Sequence, residues 1–175
     1  MKDFNTDIRS LRPFDAEPLH VFADYMEGTR VDGKCACFDD VDLMDIYKVA
    51  SNVYIFDIDH HTGKWTFRYG GTKLVQAYGR ELTGLDVLEV MADSANTEQW
   101  LKSTKRMIAE RKPLWTRNTI KKHADADGVK NFLIAYERVA YPLLGKEHRV
   151  DHVIGLIHIT RVIEELHPYE SRLLD

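Results

Sequence analysis

Val53-Tyr54-Ile55-Phe56-Asp57-Ile58 and Trp65-Thr66-Phe67-Arg68-Tyr69 decide the fold class. The first run is β-branched and aromatic. The second alternates large apolar with polar side chains, the period of a strand whose side chains point to opposite faces in turn. His60-His61-Thr62-Gly63 between them has turn composition, so the pair reads as a β-hairpin. Gly70-Gly71 breaks the second strand, and Thr72 is placed to cap a short helix through Leu74, Val75 and Tyr78. Gly79 can end that helix in the left-handed conformation. Thr83 and Asp86 then form a capping box ahead of Val87, Leu88 and Met91.

Downstream, Asp93 or Ser94 opens a longer helix with Trp100 or Leu101, Thr104, Met107 and Ile108 turned inward, and Pro113 bars its continuation. Three extended segments follow, at residues 114–122, 131–141 and 150–161, separated by the polar turns 124–128 and 145–148. Residues 164–175 read as a short helix or a loose tail. Upstream, residues 14–30 place Leu19, Phe22 and Met26 at helical spacing, with Asp15 as cap, Pro18 in the first turn and Gly28 at the exit. Asp39 and Asp42 precede Leu43, Ile46, Tyr47 and Ala50, one face of a second helix.

Strands at both ends with helices between, joined by hairpin-length turns, predict an α+β domain. Its core is one five-stranded antiparallel sheet with helices on one face and additional N-terminal helices. The expected organisation is an N-terminal helical extension at 1–38, the sheet-bearing domain at 39–163 and a C-terminal tail at 164–175.

Composition narrows the function. With 44% apolar and 30% charged residues the chain can bury a core, which excludes global disorder. A formal charge of −4 gives no reason to expect a nucleic-acid partner, since such binding rests on Lys and Arg displacing counterions from phosphates. Lys102, Lys105, Arg106, Arg111 and Lys112 read as the wet face of the longer helix. No signal peptide and no apolar run of about 20 residues is visible, so no membrane partner is expected and the cytoplasm is the expected location. Cys35 and Cys37, one residue apart, suit no disulfide. They could be joined by His60 and His61 as zinc ligands only if two distant loops met, so no metal site is expected. The Asp-Gly stretches at 57–63 and 125–128 lack the further oxygen ligands of a calcium loop and read as turns.

Residues 71–84, Gly71-Thr72-Lys73-Leu74-Val75-Gln76-Ala77-Tyr78-Gly79-Arg80-Glu81-Leu82-Thr83-Gly84, resemble a stretch of PAS domains. There a strand ends at Gly-Thr, a helix carries an aromatic, and a Gly-Arg-Glu-Leu-Thr-Gly turn leads to the next helix. The element order is similar to that of PAS domains from about residue 39 to 161. The likeness is strongest to a short bacterial type that often stands alone and carries helices before its first strand. The resemblance implies a sensory or regulatory module that takes a small-molecule ligand, a cofactor or a signalling protein between sheet and helices. Its signal would pass by noncovalent contact with a partner or through a homodimer. Flavin-based photosensing members carry a cysteine near the equivalent of Gly79, where this chain has Tyr78-Gly79-Arg80-Glu81. Haem-binding members need a histidine on the longer helix, and residues 93–112 contain none. The residues name no cofactor.

Trp65, Phe67, Tyr69, Tyr78, Tyr136 and His158 are the pocket candidates, because ligand cavities are apolar with a few fixed polar tips. The same side chains could equally fill a core. PAS domains commonly pair through an N-terminal helix, which makes Phe22 and Met26 partner-surface candidates. Arg80 and Glu81, beside a glycine turn, are a further candidate surface or an exposed ion pair. No phosphate loop, nucleophile elbow or HExxH helix occurs. An enzyme reading, an isomerase or hydrolase pairing Asp57 with Tyr136 in the cavity, rests on fold analogy alone and the expectation is a non-enzyme. A pure interaction module without ligand is the remaining alternative.

Overall fold

In the computed structural model, which describes residues 9–31, 33–92, 96–122, 132–163 and 169–175, the hairpin forms as its pattern dictates. Strand β1 (Val53–Ile58) pairs antiparallel with β2 (Trp65–Gly70). Asp59 shapes the turn by accepting from the backbone N–H groups of His61 and Thr62. Helix α1 is Glu17–Thr29, α2 Thr72–Tyr78, α3 Val87–Met91 and α4 Thr97–Glu110. The long strands are β3 (Leu114–Lys122), β4 (Phe132–Leu144) and β5 (Val150–Ile163), and β6 is Glu170–Leu173. The turn expected at 124–128 and the helix start at Asp93 or Ser94 lie outside the described residues.

Local chemistry accounts for the helix ends. Gly79 closes α2 at φ 71°, and its N–H donates to the Val75 carbonyl. Asp86, acting alone, caps α3 by accepting from Leu88 and Glu89. Thr83 takes no part in that cap; its hydroxyl donates to Glu81. Neither Thr72 nor Asp15 caps a helix: the caps of α2 and α1 are Gly71 and Ala16. Helix α1 also runs through Gly28, ending with the Thr29 hydroxyl on the Met26 carbonyl.

The sheet has six described strands, in the order β2-β1-β5-β4-β3-β6, and every pairing between these strands is antiparallel. The sixth corrects the expectation of a helix or loose tail. Leu173 pairs with Leu114 and Glu170 with Arg117, and the Leu174 N–H donates to the Pro113 carbonyl. A four-residue strand with one apolar position has no period of its own and forms because β3 offers it an edge.

The second expected helix is absent. Residues 43–49 are successive turns, flanked by the 3₁₀ turns Phe38–Asp40 and Ala50–Asn52. Most of the hydrogen bonds there span three residues, as in Asp45 to Asp42 and Ile46 to Leu43. The Asp42 side chain competes for the Met44 N–H. Ile46 and Val49 still reach the core while Met44 and Tyr47 stay exposed.

Helices cover both faces of the sheet. On one, Phe14, Leu19, Phe22 and Met26 pack with Val53, Ile55, Val139, Leu143 and Ile154. On the other, α2 to α4 pack with Tyr54, Phe56, Ala140 and Val153. Phe22 and Met26 are completely buried, and Phe22 meets Tyr141 edge-on at 5.8 Å. Burial on that scale contributes roughly 1.5–3 kcal/mol per side chain. The partner surface expected at Phe22 and Met26 is therefore already occupied by the chain's own sheet, and residues 17–29 belong to the core rather than to an extension. Asp24, midway along α1, ties the preceding segment to the helix by pairing with both Arg9 and Arg12, the latter at 2.7 Å.

Candidate functional site

Between the sheet and α2 to α4 lies a small cavity walled by Tyr54, Phe56, Phe67, Leu74, Tyr78, Leu82, Val87, Met91, Trp100, Tyr136, Arg138 and Ile157. Its open volume is about 20 Å³, room for a water molecule or two. The alternation of the strands builds it. Tyr54 and Phe56 on β1, Phe67 on β2, Tyr136 and Arg138 on β4 and Ile157 on β5 all point to this face. Gly155 makes space for Tyr54: a Cβ there would sit 2.3 Å from the Tyr54 hydroxyl.

Arg138 is the unusual member. It is 1% exposed and among the largest fully buried side chains. One Nη donates to the Thr104 hydroxyl at 3.3 Å, and the guanidinium lies 5.1 Å from the centre of the Trp100 ring. Its Nε finds no acceptor among the described residues, while the Tyr54 hydroxyl lies against the guanidinium. The tyrosines do not supply a counter-charge. Burial, ahead of the opposing pull of Arg138, pushes the Tyr136 hydroxyl up to about 12. Tyr54 and Tyr78 are raised for the same first reason. All three are neutral phenols at pH 7. Asn118 donates to the Tyr136 oxygen at 3.2 Å, which leaves the Tyr136 hydrogen free to donate.

The six pocket candidates separate. Phe67, Tyr78 and Tyr136 line the cavity. Trp65 sits behind the wall, stacked on Phe56 at 5.3 Å and edge-on to Trp100 at 6.0 Å. Tyr69 is on the opposite face. Ile55 pairs with Tyr69 but Phe56 with Phe67, so Arg68 is an extra residue and this bulge inverts the alternation. Tyr69 instead donates to the Ala50 carbonyl and packs with the α1 side of the core. His158 also faces away, opposite Glu137, and its neighbour Ile157 takes the cavity position. Arg138 and Tyr54 were not singled out by sequence, although Arg138 shares the inward parity of Tyr136 and a charge at that parity is itself a signal.

Arg80 and Glu81 are exposed but do not form an ion pair. Glu81 folds onto its own turn, accepting from the backbone of Leu82 and Thr83 and from the Thr83 hydroxyl. Those bonds, the Thr83 N–H foremost, hold its carboxyl below the usual range.

A second depression, on the α1 side of the sheet at the hairpin end, is polar. Asp57 accepts from Arg68 Nε at 2.8 Å and lies 2.7 Å from His152 Nδ1. Phe38 stacks on His152 at 4.2 Å. Cys37, His60 and His61 line the same cleft, so the two loops do meet, contrary to the sequence expectation. Among the described residues no group of three or more His, Cys, Asp or Glu side chains is placed to hold a metal ion. Asp57 and Tyr136 are on opposite faces of the sheet and cannot act on one substrate atom. Neither cysteine reaches the cavity: Cys35 contacts the Arg111 carbonyl and Cys37 lines the cleft. No described helix is long and apolar enough to cross a membrane.

No family model and no curated protein matches the chain. Among solved structures it is similar to an RNA-binding light-oxygen-voltage receptor, at 16% identity and TM-score 0.44 over 65% of this chain and 32% of that one. A fungal light-oxygen-voltage domain photoreceptor is similar at 11% identity and TM-score 0.46, over 79% of this chain and 90% of that one. The PAS domain of a protein from Colwellia psychrerythraea is similar at 14% identity and TM-score 0.43, over 68% and 98%. Two strands, three helices and three long antiparallel strands enclose a cavity against one face of the sheet, and the architecture is α+β.

Proposed function

We propose that the chain is a sensory or regulatory module that takes a small ligand in the cavity beneath α2 to α4 and signals by noncovalent contact with a partner protein. The observation that supports this most is Arg138, a cation held inside an apolar wall with a hydrogen-bonding group unused. A side chain that serves only packing has no reason to carry a charge there, since desolvating an ion costs several kcal/mol. Side chains from four strands and three helices meet around the space, so a ligand would touch elements from both layers at once. The enzyme reading has little support. Among the described lining residues none is an Asp, Glu or His, and the tyrosines titrate far above neutrality.

Native mass spectrometry of the freshly purified full chain tests this reading. A noncovalently bound small molecule is expected, and Leu74→Trp, which fills the cavity, should abolish it. Wild-type protein that carries nothing, and takes up nothing from a metabolite extract, would leave a packed interaction module as the better description.

A further inference from the structure

The cavity encloses a buried cation with one donor unused. The Arg138 guanidinium is permanently cationic, yet its described contacts are the neutral Thr104 and Tyr54 hydroxyls and the face of Trp100. None of the described lining residues carries a carboxylate. The Arg138 Nε–H is unpartnered among the described residues, and the Tyr54 hydroxyl, buried in the same wall, meets the guanidinium through its oxygen, which leaves its hydrogen to donate. A buried donor left unmade is costly and a buried charge more so. One anion between them would satisfy both.

The shape of the donor set restricts which anion. A guanidinium presents a planar fork that matches planar oxyanions better than it matches spherical or tetrahedral ones. The open volume of about 20 Å³ limits the occupant to a few heavy atoms. The apolar wall of Phe56, Leu74, Leu82 and Val87 excludes water and strengthens the charge interaction. Taking the cavity as the ligand site, we infer that it is selective for a small planar oxyanion of the carboxylate or nitrate class, held by Arg138 and the Tyr54 hydroxyl.

The full chain, dialysed into a bulky sulfonate buffer at constant ionic strength, is titrated with sodium formate, acetate and nitrate. Formamide and acetamide serve as the neutral counterparts. Binding is followed by calorimetry and by the thermal midpoint. At least one anion should bind saturably while the amides do not, and the order of formate, acetate and nitrate separates the carboxylate from the nitrate source. Arg138→Met, shown folded by circular dichroism, should lose the response. Arg138→Lys keeps the charge without the fork and should weaken binding about tenfold or more, and Tyr54→Phe several-fold. If the amides bind as well as the anions and Arg138→Met retains them, the cavity is a ligand site but the anion assignment fails. If a neutral molecule copurifies in the cavity, the outcome is the same. If neither anions nor amides bind and nothing copurifies, both readings fail together.

Discussion

Replacing Arg138 by Met should make the ligand-free protein more stable, not less. The guanidinium gains about 2 kcal/mol from its place over Trp100. One charged hydrogen bond to Thr104 adds about 1.5–3 kcal/mol. Against these stands a desolvation penalty of several kcal/mol for an ion with no counter-charge among the described residues. A residual cost comes from the unused Nε–H. Met keeps most of the volume, fills the same apolar wall and carries no charge. Replacing buried charged groups by packed apolar ones ranges from neutral to a stabilisation of roughly 1–4 kcal/mol, and a gain within that range is expected here. For a chain of this length each kcal/mol moves the thermal midpoint by about 2–4 °C. Urea unfolding at pH 7, in buffer free of small carboxylates, measures the difference directly. A variant destabilised by more than about 1 kcal/mol would show that Arg138 holds the core together, and the idea of a charge awaiting a ligand would be lost.

Phe22→Ala should destabilise the fold by about 3–5 kcal/mol, because the ring is fully buried against Tyr141; sedimentation should show an unchanged oligomeric state, whereas altered self-association at unchanged stability would place the ring in an interface. Gly155→Ala should cost about 1–3 kcal/mol, since the added carbon meets the Tyr54 ring; an unchanged urea midpoint would mean that Tyr54 has another resting place. Acid should weaken the docking of α1 in two stages. His20 titrates below its ordinary value, first through burial and then through Arg12 and Arg9. The unfolded chain therefore binds a proton that the folded chain refuses as pH falls through about 6.5, and stability declines from there. Asp24 is held low by Arg9 and Arg12 in spite of its burial, so its contribution is complete above about 4 and is lost below. His20→Gln should remove the first stage and leave the second, and a pH–stability curve identical to that of the wild type would rule out His20.

What the sequence conveyed was local. The hairpin from Val53 to Tyr69, the left-handed Gly79 and the acidic cap of α3 depend on neighbours within a few positions, so they were legible. Tyr69 misled because one extra residue, Arg68, reverses the faces of a strand while leaving its composition unchanged. Residues 43–49 carry helical spacing, but Asp42 and the short run favour tighter turns that bury the same Ile46 and Val49. Phe22 and Met26 announced an amphipathic helix without saying which surface would cover it. The cavity itself was half visible. Phe67, Tyr78 and Tyr136 follow from aromatic content and parity, whereas the isolation of Arg138 depends on which side chains from six other elements surround it.

The short strand β6 sets a limit on how the sheet can be extended. It covers Leu114 to Arg117 of β3. Strand backbone left open is a template for a further strand from another chain. Four residues with charged side chains at Glu170 and Arg172 thus act as a stopper: losing them would bare that stretch of β3 and invite the chain to pair with copies of itself.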